Sequence, residues 1–131
     1  MSRALRKELR RLAAQRCDYC RMSEAFDPLP FQVDHIIAEQ HGGATVLENL
    51  AWSRMHCNKR KGPNIAGIDA DSGQLAALFH PRRQAGDRHF YWDGPVLRGR
   101  TRSARATIAV LGINDPDFVA FRAELMDEGV F

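Results

Sequence analysis

"FQVDHII", residues 31–37, carries four residues suited to a core, Phe31, Val33, Ile36 and Ile37, with Asp34 and His35 side by side in its middle. A sheet interior favours Val or Ile at such positions, so the acid and the imidazole need a reason other than packing. Neighbours in a regular strand face opposite ways. Asp34 and His35 can therefore serve one site only if the strand ends or bends there. Gly42-Gly43, a few residues on, fits such a bent and irregular connection.

Outward from this stretch, "NLAWS" predicts a second strand and "RMHCNKRK" a short helix stopped by Gly62-Pro63. Residues 31–61 thus read as strand, loop, strand and helix. Its candidate groups are the Asp34 carboxylate, the His35 imidazole and the amides of Asn49 and Asn58. Upstream, Ser2 is placed to cap a helix running to about Gln15, with Leu5, Leu9 and Leu12 on one face. Arg3, Arg6 and Lys7 fall in its first turns, where positive charge opposes the helix dipole by roughly a few tenths of a kcal/mol each. Phosphate contacts would give those residues a use.

Downstream, "QLAALF" and "HFYW" read as strands, and Asp93-Gly94 as a two-residue turn into "PVLRG". "SARATIAVLG" predicts a helix ending at Gly112. Asp115 as cap and Pro116 at the first position open another, with Phe118, Phe121 and Leu125 on one face. "DADSG" at 69–73 begins like a calcium loop, but Gln74 and His80 stand where that loop needs Gly and Glu, so it reads as a turn. No linker divides the chain, and the expectation is one α+β domain over residues 1–131.

The totals agree with a soluble globular chain: 131 residues, 44% hydrophobic and 27% charged. No apolar run approaches a membrane span, and the first residues lack the apolar stretch of a secretory signal, so a cytoplasmic protein with no membrane partner is expected. Three cysteines, Cys17, Cys20 and Cys57, do not make a disulfide framework. No thioredoxin-like βαβ context surrounds "RCDYC", which favours a metal clip over a redox pair. The net charge is only +3, but basic residues gather in residues 1–16, in "CNKRKG", and in Arg98, Arg100, Arg102 and Arg105. That spread favours a polyanionic partner over a small acidic one.

Taken in order, "CDYC", "VDHIIAEQHGG", "ENL" and "CNKRKG" resemble the HNH endonuclease family, in the variant whose final His is Asn. The likeness covers residues 17–62; within the 63–131 extension, the stretch up to Trp92 also resembles the tail of small stand-alone bacterial members. It implies a ββα-metal (His-Me finger) core, preceded by a helix and followed by strands and helices. It implies His35 as general base, Asp34 and Asn58 as ligands of one divalent ion, Mg²⁺ or Mn²⁺, and Asn49 as the residue that holds the loop and orients the histidine. Lys59, Arg60 and Lys61 would lie near the phosphates of double-stranded DNA, with a homodimer as the means of cutting both strands. Members with a zinc clip use two Cys-x-x-Cys pairs. Here Cys17, Cys20 and Cys57 remain as implied structural Zn²⁺ ligands, Arg54, which cannot be a ligand, stands where the fourth cysteine belongs, and His56 is a conceivable fourth ligand. The alternatives are a catalytically silent nucleic-acid-binding module on the same scaffold, and a zinc-clip interaction protein.

Overall fold

The computed structural model describes residues 1–131. The chain forms two compact units, Met1–Ile65 with His80–Arg83, and Ala66–Phe79 with Gln84–Phe131. Both mix helices with antiparallel strand pairs, as the α+β expectation required. No helix is long and apolar enough to cross a membrane.

The first unit opens with α1 (Arg3–Leu12), whose Ser2 cap accepts from the Leu5 N–H. The helix stops short of Gln15 because Ala14 and Gln15 both turn left-handed, with φ of 55° and 59°. That reversal brings Arg16 against Ser23 and closes the turn holding Cys17 and Cys20. It also changes the buried face. Leu9 and Ala13 are fully inside, whereas Leu12, expected with them, is 43% exposed. A spacing of four, rather than three, marks the inward stripe here.

β1 (Gln32–His35) pairs antiparallel with β2 (Leu50–Ser53), His35 lying opposite Leu50. The expected seven-residue strand is therefore four residues long. Beyond His35 the ladder is replaced: the Ile36 N–H reaches the Asn49 carbonyl, and Ile37 bonds to the Asn49 side chain. α2 (Met55–Lys61) packs on β1, giving a ββα unit over Leu9, Met22, Phe31, Ile36, Leu50 and Trp52.

In the second unit β3 (Ala66–Ile68) pairs with β4 (Leu75–Ala77), and β5 (Phe90–Asp93) with β6 (Val96–Gly99). β3 and the short α3 (Gly86–His89) had no clear sequence signal. Because Asp93 pairs with Val96, the tight turn is Gly94-Pro95, one residue later than expected, with Gly94 at φ 55°. α4 (Arg102–Leu111) packs against both hairpins, and Gly112 ends it as predicted. α5 (Pro116–Asp127) begins at Pro116, but the Asp115 side chain makes no capping bond. Its inward face includes Arg122, which donates to the carbonyls of Pro95 and Ile113 and to Asn114 Oδ1.

The 69–73 stretch is the β3–β4 turn. Its buried Asp69 accepts from the Asp71 N–H and Ser72 hydroxyl, and takes Arg105 in a two-pronged bond at 2.7 and 3.0 Å. Arg105 first, and then Ser72, hold this carboxyl far below its ordinary value. A depressed carboxyl adds stability that is present above about pH 3.9, its unfolded value, and is lost as pH falls through the folded one. Asp69→Asn should therefore lower the melting temperature at pH 7 but progressively less below about pH 4. Thermal melts of the two proteins across that range would check it; parallel curves would contradict it.

Candidate active site

Asp34 points inward from β1 and is 4% exposed. Its Oδ2 accepts the Tyr19 hydroxyl at 2.6 Å, and its Oδ1 accepts from Lys61 Nζ at 3.2 Å. Lys61 Nζ also donates to the carbonyls of His35 at 3.2 Å and Ile36 at 3.0 Å. All three ammonium protons thus have acceptors. Lys61 is 1% exposed, so it does not stand on the surface with Lys59 and Arg60, where phosphates were expected to meet it. Burial pushes the Asp34 pKa up, and Lys61 and Tyr19 pull against it.

His35 ends β1, which is where two neighbouring side chains can stop facing opposite ways. Its Nε2 lies 2.9 Å from Thr45 Oγ1 and 3.5 Å from Glu39 Oε1. The loop that carries Thr45 is tied by Asn49. Asn49 Oδ1 accepts from the Ile37 N–H, and Nδ2 donates to the carbonyls of Ile37 and Ala44, each at 2.9 Å. The backbone passes so close at Gly43 that a Cβ there would lie 1.7 Å from the Ile37 carbonyl oxygen. Only glycine fits.

Asn58, on α2, donates from Nδ2 to Gln32 Oε1 at 2.6 Å, which leaves its Oδ1 as an oxygen donor to a cation. Asp34, His35 and Asn58 line one open pocket of about 340 Å³, together with Glu39, Gly62 and Pro63. A carboxylate offers about four lone-pair positions, of which Tyr19 and Lys61 use two. Asp34 and Asn58 therefore retain oxygens for a hard divalent ion that keeps water or phosphate as its other ligands, and the residues fit such an ion.

The second candidate metal group is Cys17, Cys20 and Cys57, all buried, with sulfurs within 4.8 Å of one another, close enough to share a metal. No histidine, aspartate or glutamate joins them at that distance, so His56 is not part of the group. Three sulfurs alone do not complete the four-ligand shell of structural zinc. Arg54 forms a buried ion pair with Asp27 at 3.0 Å, and its charge acts on Cys20. Hydrogen bonds from Cys17 and Cys57 hold the Cys20 thiol well below its usual range, whereas burial pushes Cys17 up to about 11.

The remaining basic candidates are mixed. Arg3, Lys7, Lys59 and Arg60 are exposed. Arg6 lies over the Trp52 ring at 4.9 Å and donates to the Phe31 carbonyl, which gives it a packing role. Tyr19, Gln32, Glu39 and Thr45 were not singled out from the sequence. Tyr19 alone had a signal, a bulky aromatic inside a Cys-x-x-Cys turn.

Lys61→Met should cost about 3–5 kcal/mol, because it strands a buried carboxylate. Lys61→Met combined with Asp34→Asn should recover a large part of that loss. Denaturant unfolding of both variants checks the coupling, and equal losses in the two would show that Lys61 does not act through Asp34.

Neither the curated proteins nor the solved structures compared with this chain gave a match. Residues 17–64 do match a family model, described as HNH endonuclease. The matched segment contains the cysteine turn, β1, the Asn49-tied loop, β2 and α2. The description of that family is one of nucleases, which act on nucleic acid. Residues 17–64, rather over a third of the chain, are thus similar to the HNH endonuclease family.

Proposed function

We propose that the protein is a metal-dependent DNA endonuclease that hydrolyses phosphodiester bonds with His35 as general base. The observation that carries this reading is the shared pocket of Asp34, His35 and Asn58. A base and two oxygen donors then border the same open space, wide enough for a phosphate and water.

Two oxygens flank one ring nitrogen of His35, Thr45 Oγ1 at 2.9 Å and Glu39 Oε1 at 3.5 Å. The Glu39 carboxylate only accepts hydrogen bonds, so the pair favours a proton on Nε2 and a lone pair on Nδ1. Nδ1 then takes the proton of a water as its oxygen attacks phosphorus, and the bond to the 3′ oxygen breaks. The products are a 5′-phosphate and a 3′-hydroxyl. Asn49 is a positioning residue in this scheme, since it ties the loop that carries Thr45 to the end of β1. A divalent ion held by Asp34 and Asn58 would supply charge neutralisation at the scissile phosphate and the leaving oxygen. Lys59, Arg60, Arg3 and Lys7 are the exposed cations available to the DNA backbone, and such contacts position the duplex without reading its sequence.

Supercoiled plasmid at low salt with Mg²⁺ or Mn²⁺ tests the reading. Wild type should convert it to open-circle or linear DNA, EDTA should abolish the conversion, and His35→Ala should slow it by about 100-fold or more. Undiminished cutting by the variant would remove His35 from the mechanism. Salt-sensitive DNA binding by a folded wild type that never cuts would favour the silent binding module instead.

A further inference from the structure

We propose that the turn carrying Cys17 and Cys20 is closed without zinc, by the buried Arg54–Asp27 ion pair and the attraction between its guanidinium and Cys20. Position 54 lies three residues before Cys57, where a second Cys-x-x-Cys pair would supply the missing thiolate. In this chain that position holds a guanidinium. Its Nε donates to Asp27 Oδ2 at 3.0 Å, and the same side chain reaches Cys20. Asp27 is itself fixed from the other side, because its Oδ1 accepts from the Leu29 N–H at 3.0 Å.

Three arguments converge. Structural zinc sites are closed by four protein ligands, and only three are within reach of one another. Water is a poor substitute for the fourth, since Cys17, Cys20 and Cys57 are between 0% and 2% exposed and give it no route in. A dication beside the sulfurs would also face the Arg54 charge in the interior, where repulsion is poorly screened. The arginine offers what the metal would otherwise provide, a positive centre that draws the sulfur-bearing turn and the start of α2 together.

The consequence reaches the pocket. Tyr19 lies between Cys17 and Cys20 in the chain, and its hydroxyl holds Asp34 Oδ2. Asp18, its neighbour, binds the Trp52 N–H at 2.7 Å and so pins the turn to β2. An ion pair that closes the turn therefore also fixes the carboxylate. The inference does not depend on the nuclease reading, because its test requires no cleavage.

The test is zinc content together with thermal stability. Wild type grown with ample zinc should carry less than about a tenth of a zinc ion per chain, and a strong zinc chelator should leave its melting temperature unchanged. Arg54→Met, which strands Asp27, should lower that temperature by more than about 10 °C. The double variant Arg54→Cys with Asp27→Asn restores four thiols and removes the stranded acid. It should take up one zinc per chain and, with Co²⁺, show thiolate-to-metal charge-transfer bands that wild type lacks. A wild type holding one zinc per chain, with a melting temperature that falls on chelation, would overturn the proposal. So would an Arg54→Met protein as stable as wild type. Should the double variant fail to fold, these two measurements still decide.

Discussion

The Lys61 ammonium, set among Asp34 Oδ1 and the carbonyls of His35 and Ile36, is the contact on which the rest of the site depends. It joins the last residue of α2 to the last residues of β1, and it does so at the point where the strand stops. Two consecutive carbonyls turned toward one cation cannot also continue a regular ladder, in which successive carbonyls point to opposite sides. The strand accordingly ends at His35, and the imidazole is released from the alternation that would have sent it away from Asp34. An acid and a histidine adjacent in a strand can in this way border one pocket. A buried pair of this kind is seldom worth more to stability than apolar residues of the same volume. Its presence is better explained by what it does to Asp34, whose charge the interior opposes and Lys61 supports.

A second constraint fixes the other side of the pocket. Asn49 spends its whole amide on the backbone of residues 37 and 44, so the loop between the strands is fastened across its mouth rather than along its length. The close pass at Gly43 is the geometric result. The same loop carries Glu39 and Thr45, the two side chains beside His35 Nε2. A loop held this way can present an exposed threonine to the imidazole without a hydrophobic core beneath it.

Much of this arrangement was legible in the residues. The strand–loop–strand–helix order, the Gly62 stop, the Ser2 cap and the helix to Gly112 all follow local chemistry that tertiary contacts did not override. The misreadings share one cause: a residue was judged by its neighbours along the chain rather than by its face. Lys61 sits in the run Lys59-Arg60-Lys61 and looks like surface charge, yet it is four residues from buried Cys57 and so belongs to the inward stripe of α2. Arg122 lies four residues after Phe118 and three before Leu125, and was passed over for the same reason. Leu12 continues the apolar run from Leu5 and Leu9, although the spacing of four between those two favours Ala13 as the next inward residue. Other features had no local signal. The Asp27–Arg54 and Tyr19–Asp34 pairs join residues 27 and 15 positions apart, and nothing in either segment points to the other.

The charge balance of the pocket then bears on how an ion and DNA would share it. Asp34 contributes −1 and Lys61 +1, Asn58 nothing, so the direct donors and their cation sum to zero. A second carboxylate at position 58 would grip a divalent ion more tightly but would leave less positive charge facing the substrate. Under the proposed reading, an amide there would present nearly the full charge of a bound ion to the phosphate, and the protein alone would hold the ion weakly. A phosphate would then supply the anionic ligand that the protein withholds, and the ion the attraction that its direct donors lack. By linkage, each would raise the affinity for the other by the same factor, so such a site would be loaded most completely with DNA in place.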